Sequence, residues 1–317
     1  MMFKKYLTQV SGLRRSALFA LITLAASLGV LSAASPALAA PKGEYAVFYD
    51  CPLSNAEVHG CIVARTESGE FVIGTKKTKV PIEKTITLQG GFEEEVAAEF
   101  RMPFVEAEDG NTLSKTPQKV PGGLLGIKCA EIKNEFERKV CEEIVKSKLN
   151  TVTATTELAL PTPPESLSSI FLSEASLENP ILYEAFGIPA LGLPVKIKLE
   201  NPLLGSECYI GSSTEPIVLK LTTGTTKPPP PNTPITGKIG EFSSRAEGGI
   251  LVIKNNSLVD NLFAVPAAKG CGGKAFESVI DPLIDAKLGL PSPSGNNTAI
   301  LNGTLEQSGA EAARESE

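Results

Sequence analysis

The chain has 317 residues, 42% of them hydrophobic, with 30 basic and 36 acidic side chains and a formal net charge of −6. That is enough apolar material for a packed core, and it lacks the basic surplus that a nucleic-acid backbone demands. Tryptophan is absent and there is one histidine, which leaves little for stacking against sugar rings or for a histidine-based metal site.

The first residues carry Lys4, Lys5, Arg14 and Arg15, then an apolar run from Ala17 to Leu31, then the small-x-small pattern Ala37-Leu38-Ala39. This order predicts a secretory signal peptide over residues 1–39, cut after Ala39. The apolar run is shorter than the roughly 20 residues that span a bilayer, and no second candidate follows, so no transmembrane segment is expected after cleavage. The stretch "LRRSALFA" lacks most of the twin-arginine pattern, which makes general secretion the expected route. Cleavage removes four basic and no acidic residues and takes the net charge from −6 to −10. Neither nucleic acid nor an anionic lipid surface is an expected partner of so acidic a chain. The expected setting is secreted or extracellular, with association to the cell envelope included.

From residue 40 the rhythm is that of short strands: "EYAVFYD", "GCIVAR", "EFVIG" and "EKTITLQGG", each bounded by turn residues. Period-two alternation recurs in "TVTATTELAL", "VKIKLE" and "IVLKLTT", and "ILVIKN" and "TAILNG" follow. Helices between strands, which a parallel sheet needs, are missing. The fold class expected is all-β, mainly antiparallel and sandwich-like, with one or two short helices and disulfides.

One helix is expected in "CAEIKNEFERKVCEEIVKSKLN", where Ile132, Phe136, Val140 and Ile144 fall four apart and Asn134 with Glu137 matches an N-cap. A shorter one is expected in "IDPLIDAKLGLP", with Asp281 as cap, Pro282 in the first turn and Gly289 as the stop. One β-rich domain is expected over 40–302; a division into two halves would fall near 161–191, where Pro and Ser concentrate. The polar tail 303–317 is expected to be disordered.

Six cysteines, an even set in an exported chain, point to structural disulfides. Spacing favours Cys51 with Cys61, Cys129 with Cys141, and Cys208 with Cys271. The middle pair requires the helix to start between its members, because twelve helical steps would separate them by roughly 18 Å. The third pair encloses "KPPPPNTP" inside a covalent loop, which makes that proline run an excursion of one folding unit rather than an interdomain hinge.

No catalytic, cofactor-binding or metal-ligating residue is assigned. The pieces "VPGGLLG", "KGCGGK" and "LQGG" do not match a Walker or dinucleotide pattern and read as turns. No G-x-S-x-G occurs after residue 39, and His59 reads as a surface side chain in a short loop. The segment holding Glu93, Glu94, Glu95, Glu99, Glu106, Glu108 and Asp109 reads as a solvated acidic edge, with Asp109-Gly110 as a hairpin turn. The function expected is that of a non-enzymatic envelope-associated or extracellular binding or structural module. Two alternatives stand beside it: a secreted hydrolase using carboxylates of the acidic segment, and a β barrel carrying an apolar ligand.

The stretches "NPLLGSECYIGSSTEPIVLKLTTGTTKPPPPNTPITG", "NSLVDNLFAVPAAKGCGG" and "KLGLPSPSGNNTAILNGTL", with "LQGGF" and "VPGGLLGI", resemble a group of secreted actinobacterial proteins with no assigned function. The resemblance implies an exported bacterial protein and brings no catalytic residue with it. It also implies that the sequons at Asn255, Asn296 and Asn302 stay unmodified.

Overall fold

The computed structural model describes residues 40–97, 99–123, 133–160 and 170–316. The expected signal segment 1–39 and the expected bond between Cys129 and Cys141 lie outside the described residues. Among those residues are fourteen strands, and every strand pair is antiparallel.

The organising strand is β1 (Gly60–Ile73), which fuses the two expected strands "GCIVAR" and "EFVIG". The chain between them bulges instead of turning: Glu67 is the extra residue, since the register against the last strand shifts between Thr66 and Ser68 while Ser68 and Gly69 stay paired with Asn302 and Leu301. Gly303 lies opposite Thr66 at this bulge. A Cβ there would sit 1.7 Å from the carbonyl oxygen of Arg65, so only glycine permits the approach. The outer half of β1 pairs with β2 (Lys76–Val80) and the inner half with β3 (Ile86–Phe92).

Next along the sheet comes β4 (Met102–Glu106), followed in sequence by β5 (Gln118–Lys119), β6 (Thr153–Leu158), β7 (Phe171–Leu172) and β8 (Leu191–Glu200). The strand β4 belongs to both sheets: Phe104 and Glu106 pair with β3, and Met102 and Pro103 pair with β7. The second sheet then runs β7-β8-β6-β5, with β9 (Tyr209–Ile210) and β10 (Ile217–Leu221) on the opposite edge of β8.

Returning to the first sheet, β11 (Glu241–Arg245), β12 (Ile250–Asp260) and β14 (Thr298–Gly309) complete its far side, while β13 (Ala268–Lys269) pairs with β9. Beyond β10, Thr222 and Val259 exchange backbone hydrogen bonds of 3.0 and 2.9 Å. That bridge brings the end of the second sheet back onto β12, so the sandwich closes into a ring of β12, β14, β1, β3, β4, β7, β8 and β10.

Side chains from both sheets, from Ile62 to Leu305, form one buried cluster inside this ring. Core residues before and after 161–191 share it, and the described residues make one compact unit. The segment therefore does not divide the fold.

Three departures from the sequence reading have tertiary causes. The stretch "EYAVFYD" is a 3-10 turn, Gly43–Phe48, not a strand. Phe48 anchors it, 1% exposed, in a second cluster with Leu53, Val58 and Val252, and that anchoring overrides the strand propensity of Tyr, Val and Phe. The tail 303–317 is not disordered: residues to Gly309 complete β14, and α5 (Ala310–Glu315) buries Ala310 and Ala313 against the same cluster. Small and polar residues carry no compositional signal for order, because their partners are distant in sequence.

The third departure concerns the helix near residue 282. It spans Glu277–Leu288 and so begins a turn before the expected cap. Asp281 lies inside it and accepts hydrogen bonds from the amides of Gly270 (3.1 Å) and Cys271 (2.7 Å). Gly289 ends the helix in the left-handed conformation at φ 72°, as its position predicts.

The other long helix, Glu135–Lys146, is capped as expected, with the Asn134 carbonyl oxygen accepting from the amides of Phe136 (2.9 Å) and Glu137 (3.2 Å). Two short helices, Glu174–Glu178 and Ile181–Phe186, precede β8. In chain order these are α1 (Glu135–Lys146), α2 (Glu174–Glu178), α3 (Ile181–Phe186), α4 (Glu277–Leu288) and α5.

Cys51 is bonded to Cys61 and Cys208 to Cys271. The proline run lies inside the second loop, between β10 and β11, and is pinned to the body: the Asn232 amide donates to the carbonyls of Asn261 (3.1 Å) and Asn297 (2.8 Å).

Candidate functional site

The carboxylates of the acidic segment do not converge. Glu99 pairs with Arg101, Glu108 accepts from the Ser54 hydroxyl at 3.2 Å, and Asp109 accepts from the Asn111 amide at 2.7 Å, closing the turn at Gly110. His59 is exposed, and its backbone serves β14's exit through the Ala310 amide (2.9 Å). Among the described residues no three of His, Cys, Asp and Glu come together as a metal-binding group.

The two buried aspartates stand in separate neighbourhoods. Burial pushes the Asp50 carboxyl up, and its partner is the amide of Gln89. Asp260, 1% exposed, accepts from the amides of Lys220 (2.7 Å) and Leu262 (2.8 Å). Burial likewise raises it above the ordinary carboxylate value, and burial with the nearby Asp260 charge pushes the Tyr183 phenol up to about 12. These are structural groups holding loop amides, not an acid–base pair.

A raised carboxyl contributes stability that is fully present below its unfolded pKa and lost as pH rises through its folded one. Asp260→Asn leaves one amide facing a donor and is expected to cost about 1–3 kcal/mol. The gap in melting temperature between wild type and variant should narrow from pH 4 to pH 7; a gap that widens over that range refutes the assignment.

The site that the fold does build lies between the sheets. Among the described residues β2 pairs only with β1, and β5 only with β6. The two run side by side without a backbone ladder between them, which leaves a seam in the wall. Gln118 of β5 lies in that seam, 3% exposed. Its amide nitrogen donates to the carbonyls of Lys84 (2.8 Å) and Thr116 (3.3 Å), while its carbonyl oxygen has no partner among the described residues.

Behind the seam is an apolar chamber of about 70 Å³ lined by Phe71, Val120, Val152, Ile197, Ile284 and Leu288, among others. A second void of about 60 Å³, walled by Leu88, Leu193, Leu219 and Leu305, continues between the sheets. Phe71 and Thr156 line both and stand between them. Each is less than half the size of an apolar cavity of about 150 Å³ that takes up benzene, so the guest it suits is a small apolar group.

Charge gathers at the opening. Lys76 and Lys287 line the chamber, and neither makes an ion pair among the described residues. Lys77, Lys79, Lys84 and Lys119 line a depression on the outer side of the seam, with Glu83 beside them and Lys77 paired to Glu70 at 2.6 Å. The helix α4 closes the chamber from another side. Its end is tied to the turn after β1 by the Thr75 amide on the Leu288 carbonyl (2.8 Å) and the Thr75 hydroxyl on that of Lys287 (3.1 Å).

The alternation of Val152, Ala154 and Thr156 marked an inward face, and those residues do line the chamber. The seam between β2 and β5 was missed, although the sequence held a signal for it. A usable one was the run "KKTK" at 76–79, a dense basic stretch in an acidic chain. No protein family, curated protein or solved structure matches the chain.

Proposed function

We propose that the protein is a non-enzymatic extracellular binding module that takes the apolar part of an amphiphilic molecule into its barrel, with an anionic head group held at Lys76 and Lys287. The observation that carries this reading is the apolar chamber beside the seam between β2 and β5, with two lysines that make no ion pair among the described residues. The disulfides suit the oxidising conditions outside the cell. No helix among the described residues is long and apolar enough to cross a membrane. The hydrolase alternative loses its support because the acidic segment forms no shared site.

The test is calorimetric binding of a short-chain fatty acid to purified protein, the chain matched to voids of about 70 and 60 Å³. Ala154→Leu fills part of the chamber wall and should weaken binding at least about tenfold, the loss of roughly two buried methylene contacts. Equal affinity in a folded Ala154→Leu variant, or no binding by the wild type, overturns the proposal.

A further inference from the structure

The helix α4 has two apolar faces. Ile280, Ile284 and Leu288 pack inward on the core and the chamber. Phe276, just before the helix, and Val279 and Leu283 on it follow i, i+3, i+7 spacing and are 64%, 57% and 58% exposed. The acids at Asp281 and Asp285 do not interrupt that outer stripe, because both are turned inward onto backbone amides of Gly270, Cys271 and Ala268. Glu277, in the first turn, is the one exposed acid of the helix.

The stripe continues into basic surface. Lys274 precedes the helix and Lys287 ends it, both exposed. The Thr75 contacts bring the start of β2 against the Lys287 end of α4, and Lys77, Lys79, Lys84 and Lys119 line the depression beside β2. Three exposed apolar side chains beside a group of lysines, on a protein with net charge −6, make a local reversal of the overall charge.

We infer that this end of the protein docks on an anionic lipid surface, with Phe276, Val279 and Leu283 entering the interface and the lysines of the seam meeting lipid phosphates. The chemistry is that of an interfacial apolar face combined with electrostatic attraction, neither of which spans the bilayer. Docking here presents the seam between β2 and β5 to the membrane. The inference revises the expectation that an acidic chain avoids anionic lipid, because attraction falls off within a Debye length and is set by the nearest charges. It stands whether or not the chamber holds a ligand.

The experiment is co-sedimentation of the full chain with vesicles of phosphatidylcholine alone and of phosphatidylcholine with about a third phosphatidylglycerol. Wild type should sediment with the anionic vesicles, less so at high salt, and not with the neutral ones. Two variants are compared with it: Phe276→Ser with Val279→Ser and Leu283→Ser, and separately Lys79→Glu with Lys119→Glu. Both change exposed side chains and should keep the wild-type melting temperature, and residues 1–39 are common to all three proteins. Each should lose vesicle binding about tenfold or more. Ala154→Leu should bind vesicles as wild type does, which separates this inference from the chamber reading. Undiminished binding by both variants, equal binding to neutral vesicles, or no binding by the wild type overturns it.

Discussion

Replacing Cys208 and Cys271 together by alanine is expected to lower the stability of the protein by about 4 kcal/mol, the largest effect of any pair of substitutions considered. The bond closes a loop with a sequence separation of 63, and the chain entropy released to the unfolded state on opening such a loop is about 4 kcal/mol at room temperature. Opening the short loop of Cys51 and Cys61, with a separation of 10, releases about 3 kcal/mol. Both sulfurs of the larger loop are fully buried in the main cluster, so the alanines also lose packing. For a fold whose net stability is about 5–15 kcal/mol, the loss brings unfolding close to ordinary temperatures. The effect should be local before it is global, because Cys271 directly precedes the turn into α4. Urea unfolding followed by circular dichroism measures the total, and hydrogen exchange at residues 268–288 measures the local opening. A cost below about 1 kcal/mol would show that the bond constrains little that packing does not already hold.

Removing residues 310–317 is expected to destabilise by about 3 kcal/mol, with Arg314→Ala alone accounting for about 2 kcal/mol of it. The guanidinium of Arg314 donates to three carbonyls of the 51–61 loop: Leu53 at 3.0 Å, Asn55 at 2.9 Å and Val58 at 3.1 Å. Bonds from a charged donor stabilise more than neutral ones, and deleting the donor leaves carbonyls of a largely buried loop without their partner. Ala310 and Ala313 fill the space between that loop and β12, both at 0% exposure. A disordered tail predicts no change at all on truncation. Thermal unfolding of the truncated chain and of Arg314→Ala decides: melting temperatures within a degree of wild type would return the tail to disorder. Arg314→Lys is expected to recover only part of the loss, since an ammonium cannot reach three diverging acceptors from one planar fork.

The described disulfides and the strands carry different kinds of information. The alternation of "IVLKLTT" determined β10 and its inward Ile217, Leu219 and Leu221, all at most 2% exposed, because a period of two sorts side chains onto faces wherever the strand ends up. Local rules likewise determined the Asn134 cap and the Gly289 stop, since both depend on backbone groups within a few residues. Cysteine spacing sufficed for Cys51–Cys61 and Cys208–Cys271.

Other features were decided only by tertiary structure. Whether "ESG" in β1 turned or bulged depended on β14 arriving beside it, 234 residues further on. The fate of "EYAVFYD" depended on a pocket for Phe48, and that of the tail on carbonyls waiting in the 51–61 loop. The seam, the chamber and the basic end of the molecule belong to this second kind. Net charge counted every acid equally and concealed a lysine-rich edge, while the unpaired margins of β2 and β5 exist because their neighbours on the other side were already chosen. Composition and period set which residues face inward; strand order, closure at Thr222 and Val259, and the docking of α4 set where an opening remains, because those depend on contacts between residues that no local pattern brings together.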